Sequence, residues 1–141
     1  MSQQARSLLN ISVPVAPGAV TAFRAVDFAG AQATAQGQKV MGVAQRGAAQ
    51  GQGYEATVIG TAIVEAGGAF TAGHPLIVDA SGRAIANSGA LNVAAGATAV
   101  TSGAANGASV LAGSDLPEYV FADAVQAATQ AGDLVEVLLR R

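Results

Sequence analysis

The sequence has no cysteine and no tryptophan among its 141 residues, and it carries little charge. Without cysteine, neither a disulfide framework nor a thiolate metal site can form. Charged residues make up 11% of the chain, against about 25% in ordinary soluble domains. Such a composition leaves much weakly polar surface, which suits a protein that is packed against another molecule.

Basic residues are too scattered to form a nucleic-acid surface. The formal net charge is −2, and among the seven Lys and Arg residues only Arg140 and Arg141 are adjacent. Because no basic stripe is available to displace counterions from a phosphate backbone, we expect no direct binding to nucleic acid. No continuous apolar run approaches the length of a membrane span, and residues 1–15 lack a signal-peptide core. We therefore expect no membrane partner and synthesis in the cytoplasm.

The residues that usually carry catalysis are also missing or dispersed. The single histidine, His74, precedes Pro75, and no serine lies in a nucleophile-elbow pattern, so we expect His74 to be a solvent-facing loop residue. The nine carboxylates are spread along the chain without the spacing of metal ligands. No phosphate-binding glycine loop occurs, because Lys39 follows Gly37-Gln38 outside any helical pattern. We predict no catalytic, metal or cofactor-binding residues, and no enzyme.

Alanine and glycine dominate what is present. Hydrophobic residues are 51% of the chain, but burying an alanine methyl contributes only about 0.8 kcal/mol, whereas ordering one backbone residue costs about 1–2 kcal/mol. Residues 87–115 consist almost wholly of small side chains, and their only larger ones are Leu91 and Leu111. We predict that this segment is a long Ala/Gly/Ser-rich loop, inserted into the domain and ordered by a partner.

Short apolar segments separated by glycine turns predict strands. They cover residues 20–28, 40–44, 54–65, 75–79 and 84–87. Within the longest of them, Gly60 indicates a bulge or a close approach of another backbone. The pattern predicts an all-β fold, a single small β-sandwich or barrel of jelly-roll-like type.

The end of the chain allows two interpretations. Residues 123–131 form either a short helix or a loop leading into a terminal strand at residues 134–139, and we favour the second, a hairpin. In that strand Val135, Val137 and Leu139 would share one face. Residues 40–59 weakly echo this strand, Ala-rich loop, glycine and strand order, which supports a hairpin there as well.

The first 17 residues predict an extended N-terminal arm, with residues 18–141 as the domain. Pro14 and Pro17 fix extended backbone and remove two amide donors. Four larger apolar side chains alternate along the arm, which places them on one face. These candidate partner-binding residues are Leu9, Ile11, Val13 and Val15. The arm either adds a strand to a neighbouring molecule or is an edge strand of its own domain.

Two blocks of the sequence resemble the capsid cement, or head decoration, proteins of tailed bacteriophages. The first block contains Val40-Met41-Gly42-Val43-Ala44, Ala56-Thr57-Val58, Gly60, Ala62-Ile63-Val64, Ala72-Gly73, Pro75-Leu76-Ile77-Val78 and Gly82-Arg83-Ala84. The second contains Ala124, Ala127-Ala128 and Ala131-Gly132-Asp133-Leu134-Val135-Glu136-Val137-Leu138-Leu139. The order of these motifs carries the resemblance, and it covers somewhat over half of the chain.

The resemblance implies a structural virion protein on the outer surface of a phage capsid. Proteins of this kind bind the major capsid protein as small homo-oligomers, here a homodimer or a homotrimer, and stabilise the head by bridging neighbouring capsid subunits. The family has no catalytic residues to transfer to this chain. The alternative is another structural or adhesive β module, namely a phage tail or fibre component or a surface-layer protein.

Overall fold

A computed structural model of the chain describes residues 4–87 and 118–140, together with the backbone of residues 103–105 and 108–110. The described residues form strands and no helix, so the all-β prediction is confirmed. The strands are β1 (Ser7–Val13), β2 (Arg24–Val26), β3 (Gly42–Ala44), β4 (Tyr54–Glu65), β5 (Pro75–Val78), β6 (Ala84–Ala86), β7 (Gly103–Ala105), β8 (Ala108–Val110), β9 (Ala122–Ala124) and β10 (Leu134–Leu139).

Eight of the strands form one antiparallel sheet that curls into a nearly closed barrel. Seven follow the order β2-β3-β4-β10-β9-β5-β6, and β1 pairs with β4 beside this path. The two ends of the path approach each other, because the Ala25 amide donates to the Gly82 carbonyl across 2.7 Å. A bridge between Ala66 and Ala84 adds a second link near the same place. The predicted small barrel is therefore the observed architecture.

The chain divides into two compact units, Met1–Asn87 with Glu118–Arg141 and Ser88–Pro117. In the second unit the described backbone is the antiparallel hairpin of β7 and β8, in which Gly103 pairs with Val110. Most of the predicted insertion at residues 87–115 lies outside the described residues.

Strand β4 is the longest strand, and its bounds agree with those predicted from the sequence. Its first half pairs with β1 and β3, and its second half pairs with β10. Gly60 lies between the halves with a φ of 105°, where the pairing with β1 shifts register. A side chain at Gly60 would collide with the Arg6 carbonyl oxygen and come within 2.9 Å of the Leu8 amide nitrogen. The predicted bulge and close approach are confirmed.

The strand predicted at residues 20–28 is shorter than expected and covers only Arg24–Val26. It cannot begin earlier, because Phe23 has a φ of 63°, a left-handed conformation that breaks extended backbone. It ends at a turn in which the Asp27 carboxylate accepts hydrogen bonds from the amides of Ala29 and Ala31. Such Asx turns compete with strand pairing.

The closing segment is the predicted hairpin. Strands β9 and β10 pair antiparallel, with Val137 opposite Ala124 and Leu139 opposite Ala122. In β10 the side chains of Val135, Val137 and Leu139 are buried. The predicted alternation of faces is confirmed.

Small side chains build two clusters of buried residues. The larger is formed by Ala25, Ala33, Val40, Val43, Ala62, Val64, Ala66, Phe70, Leu76, Val78, Ala84, Phe121, Ala122, Ala124, Ala128, Val135, Val137 and Leu139. The smaller is formed by Val13, Ala16, Val20, Val26, Met41, Ala44, Ala48, Tyr54, Ala56 and Val58. Because so many members are alanine, backbones approach closely and each contact contributes little by itself.

The two halves of the barrel repeat the same order of elements. Val20 and Ala48 exchange both backbone hydrogen bonds, and Phe70 and Ala128 do the same. A further pair of bonds is equivalent, since the Phe23 amide donates to Ala44 and the Gly73 amide donates to Ala124, each across 2.7 Å. The first half contains β1, β2, β3 and residues 54–60 of β4, whereas the second contains residues 61–65 of β4, β5, β6, β9 and β10.

One turn is reproduced in detail in both halves. Asp79 accepts hydrogen bonds from the amides of Ser81 and Arg83 through its Oδ1 atom, as Asp27 does from Ala29 and Ala31. Each turn has a glycine of positive φ three residues after the aspartate, 82° at Gly30 and 77° at Gly82. The barrel is therefore a pseudo-repeat of two half-domains that share one continuous strand.

We predict that Gly60→Ala destabilises the fold much more than Gly51→Ala. Both glycines have positive φ, but a side chain at Gly51 would meet open space. Gly51→Ala should therefore lower the free energy of unfolding by about 1 kcal/mol, the cost of the backbone conformation alone. Gly60→Ala adds the collision with backbone, so we expect a loss of about 3 kcal/mol or more. Urea unfolding of both variants measures the difference, and equal losses would contradict the close approach.

We also predict that Tyr54 makes stability depend on pH in the alkaline range. Its buried hydroxyl donates to the Gly30 carbonyl across 2.6 Å, and burial, with the nearby Asp27 carboxylate, raises its pKa. Below about pH 10 the phenol is neutral in both states. Above that pH the unfolded chain ionises first, so the stability from this group is lost as pH rises through the folded pKa.

Tyr54→Phe leaves the Gly30 carbonyl without this donor and should lower the free energy of unfolding by about 1–3 kcal/mol near neutral pH. The variant should also lose less stability than the wild type between about pH 9 and pH 11. Urea unfolding of the variant and of the wild type, at about pH 9 and at about pH 11, provides the comparison. Parallel pH dependences of the two proteins would contradict this role for Tyr54.

Candidate interaction surface

Strand β1 presents most of its side chains to solvent. All residues from Ser7 to Ser12 are exposed, and Leu8 keeps 78% of its surface accessible. Leu9 lies opposite Ile59 of β4, which is also exposed. Large apolar side chains therefore cluster on a strand that contributes little to the core until Val13.

The strand is held on its own domain by specific hydrogen bonds. The Arg6 amide donates to Thr61 Oγ1 across 2.8 Å, and the Thr61 amide donates back to the Arg6 carbonyl. The buried Thr57 hydroxyl donates to Asn10 Oδ1 across 2.9 Å. These bonds fix β1 as an edge strand of its own chain, one of the two arrangements that the sequence left open.

The four predicted partner-binding residues do not share one environment. Leu9, Ile11 and Val15 are exposed, whereas the Val13 side chain is buried in the smaller core cluster, opposite Tyr54. Alternation in the sequence places Val13 with the others but does not reveal that β1 enters the core at that end. We call the exposed set the β1 surface. It consists of Leu8, Leu9, Ile11, Val15 and Ile59.

The open edge of β1 lacks the usual protection. Among the described residues β1 pairs only with β4, and no charged residue or proline lies between Ser7 and Val13. Edge strands are normally kept from pairing by charges, prolines or covering segments. An exposed, apolar and uncharged edge has the chemistry of a site where another strand or surface docks.

The corresponding edge in the second half-domain is covered. The counterpart of β1 there is residues 61–65 of β4, which pair with β10 on one side. On the other side the Glu65 amide donates to the Phe23 carbonyl, and the Gln45 side chain bonds both the amide and the carbonyl of Ile63. No such second neighbour of β1 occurs among the described residues. The pseudo-repeat thus leaves one of its two equivalent edges open.

An ion pair borders the β1 surface. Glu55 lies opposite Ser12, and Arg46 donates to both oxygens of its carboxylate. These hydrogen bonds lower the pKa of Glu55 and raise that of Arg46. Both groups are solvent-exposed, so the pair adds little to stability. It places a neutralised rather than a charged rim beside the apolar residues.

The described residues contain no group of three or more His, Asp or Glu side chains arranged to hold a metal ion. Nor does any helix among them have the length and apolarity needed to cross a membrane. His74 is half-buried rather than solvent-facing, and its Nε2 atom lies 3.3 Å from the Asn87 carbonyl oxygen. It precedes β5, as the proline after it predicts.

A second exposed cluster was missed from the sequence. The ammonium group of Lys39 lies 5.8 Å from the ring centroid of Phe28 and 5.9 Å from that of Tyr119. These residues are far apart along the chain, and no motif joins them. The only signal in the sequence was that Lys39 is the sole lysine and that aromatic residues are few.

The family model for the phage cement protein matches residues 5–114. The chain belongs to the phage cement protein family. The match includes β1 to β6 and therefore the whole β1 surface, and it agrees with the resemblance seen in the sequence. This cement protein is a structural protein of the phage capsid.

A solved structure shares the fold of the cement protein. The N base of the head fibre protein gp8.5 of bacteriophage phi29 has a TM-score of 0.62 and 19% sequence identity, and the alignment covers 94% of this chain and 95% of that chain. At this identity the likeness concerns the fold. A comparison with curated protein sequences found no match.

Proposed function

We propose that the chain decorates the outer surface of a tailed-phage capsid and stabilises it by bridging neighbouring major capsid subunits, with the β1 surface as a capsid contact. The open, uncharged edge of β1 is the observation that carries this proposal. The fold covers the equivalent edge in its second half with residues of the first, and a capsid segment would complete β1 in the same way.

The energetics suit a contact that is repeated many times. Fully burying a leucine or isoleucine side chain stabilises an interface by about 1.5–3 kcal/mol. With only 11% charged residues in the chain, few charges are desolvated when such a surface is covered. Several modest contacts together bind a rigid shell strongly. When one contact breaks, the remaining contacts keep the protein close to the shell, so the broken contact forms again.

Family membership and composition support the rest of the proposal. The protein is made in the host cytoplasm and joins the head as a small homo-oligomer, a dimer or a trimer. An oligomer multiplies the contacts that each bridge makes with the shell.

Co-sedimentation with mature heads stripped of decoration tests the proposed function. We expect saturable binding at a fixed small-integer ratio to the major capsid protein. A folded oligomer that binds no head would contradict capsid decoration and would favour a tail, fibre or surface-layer role.

We predict that Leu8→Asp abolishes or strongly weakens head binding without unfolding the protein. Leu8 is the most exposed large apolar residue described, so a carboxylate there remains solvated in the free protein but must be desolvated in the contact. We expect affinity to fall at least about tenfold, which corresponds to about 1.4 kcal/mol. Point substitution is preferable to removing the arm, because Val13 belongs to the core.

Val125→Asp is the matched control. Val125 is an exposed apolar residue in the loop between β9 and β10 and is not part of the β1 surface. It should bind heads like the wild type. If both variants bind equally well, or lose binding equally, the β1 surface is not the specific contact.

A further inference from the structure

The cluster of Phe28, Lys39 and Tyr119 is a second exposed surface that the β1 contact does not use. Phe28 keeps 61% and Tyr119 45% of its surface accessible, and Lys39 is exposed between them. Both rings are within the distance at which an ammonium group is attracted to an aromatic face. The interaction orders a long, flexible side chain and fixes its charge at one point of the surface.

The pseudo-repeat supplies an internal control for Phe28. The turn that begins at Asp27 has Phe28 in its second position, and the equivalent turn at Asp79 has Ala80 there. Both turns make the same hydrogen bonds from the aspartate side chain to two amides. A methyl group therefore suffices for this turn, and the exposed aromatic ring at Phe28 is not explained by folding.

Lys39 and Tyr119 also occupy equivalent positions in the two halves. Each immediately precedes a valine, Val40 or Val120, in the segment that leads into β3 or β9. Backbone bonds place these segments similarly, since the Met41 amide donates to Val26 and the Phe121 amide donates to Leu76. Two segments that correspond in the repeat thus meet side by side, and one contributes a cation where the other contributes a ring.

The charge on Lys39 has no carboxylate partner among the described residues. The ion pairs of that part of the chain all use arginine, joining Arg24 to Glu65, Arg46 to Glu55, Arg83 to Asp79 and Arg140 to Asp123. The nearest acidic residue in sequence to Tyr119 is Glu118, whose aliphatic carbons pack toward Gly37 and which forms no ion pair with Lys39. An ammonium group has three hydrogen-bond donors, and contact with aromatic faces leaves these donors available to an acceptor.

A groove of about 220 Å³ opens beside this ammonium group. It is lined by Lys39, Val40, Tyr119, Val120, Phe121 and Arg140. Its volume is below the usual range of small-molecule sites, but it is sufficient for a single carboxylate side chain. Arg140 is held at its rim by two hydrogen bonds to Asp123. The groove therefore offers apolar walls and a positive charge that pairs with no carboxylate of the described residues.

We propose that this groove receives an aspartate or glutamate side chain of the capsid partner, whose carboxylate binds Lys39 while its carbons lie against the ring of Tyr119. Phe28 lies beside the Lys39 ammonium group and helps to hold it in place. The inference rests on the proposed function and deepens it, because a bridge needs a contact besides the β1 surface. The chemistry is complementary: the partner's acid supplies a negative charge to Lys39, which has no carboxylate partner among the described residues, and tyrosine is enriched among residues that dominate binding.

The test uses the fact that Lys39 is the sole lysine of the chain. Stripped heads carrying the bound wild-type protein are treated with a carbodiimide, which joins an amine to a nearby carboxylate as an amide. Mass spectrometry should find Lys39 linked to an aspartate or glutamate of the major capsid protein. Lys39→Arg keeps the positive charge but cannot form this product, so it should bind heads and give no link at this position.

Binding measurements complete the test. Lys39→Gln and Phe28→Ala should each weaken head binding about tenfold or more, whereas Arg83→Gln, which removes a partly exposed positive charge outside both surfaces, should have little effect. Thermal unfolding of Phe28→Ala should match the wild type, because the Asp79 turn folds with alanine at that position.

Unchanged head binding by Lys39→Gln and Phe28→Ala, with Lys39 linked only within its own chain, would overturn the inference and leave capsid decoration standing. A wild-type protein that binds no head would overturn both. If Lys39 links to no carboxylate and inorganic phosphate releases the bound protein from heads, Lys39 binds a phosphate group instead. That result would also overturn the inference.

Discussion

Strand β4 is the constraint on which the rest of the barrel depends. It runs through both half-domains without interruption, and its two halves pair with different partners, β1 and β3 on one part and β10 on the other. A regular strand could not serve both halves, because the register with β1 has to shift at Gly60. Only glycine fits there, because the Arg6 backbone passes so close to Gly60 that a side chain would collide with the Arg6 carbonyl oxygen. The sharing of β4 ties the two repeats together and determines which strand edges are covered.

The exposed surfaces follow from this arrangement. In the second half-domain, residues 61–65 of β4 are covered by hydrogen bonds with Phe23 and Gln45. In the first half-domain no equivalent neighbour covers β1 among the described residues, so β1 is left with an apolar open edge. Where two equivalent segments meet, Lys39 stands opposite Tyr119. Both features break the pseudo-symmetry of the fold, and both are readily explained by contact with another protein. The alanine-rich core agrees with this view. Because it stabilises each barrel only modestly, contacts with other proteins contribute a larger share of the total stability.

Much of the fold could be predicted from the sequence, because its signals are local. The bounds of β4, the role of Gly60 and the terminal hairpin depend on alternation and on glycine, which are read from neighbouring residues. The strand at residues 20–28 was predicted too long, since the left-handed conformation of Phe23 has no sequence signature. The repeated turn had a signal, an aspartate followed three residues later by glycine after a β-branched residue, at Asp27 and at Asp79. The burial of Val13 and the meeting of Phe28, Lys39 and Tyr119 depend on long-range pairing, which no local pattern encodes.

The decisive experiment is an electron cryo-microscopy reconstruction of decorated heads at a resolution that traces the chain. We expect the edge of β1 to be buried against one capsid subunit and each bound molecule or oligomer to contact at least two subunits. This expectation would be contradicted by a bound protein whose β1 surface faces solvent, or by one that lies on a single capsid subunit without reaching a neighbour.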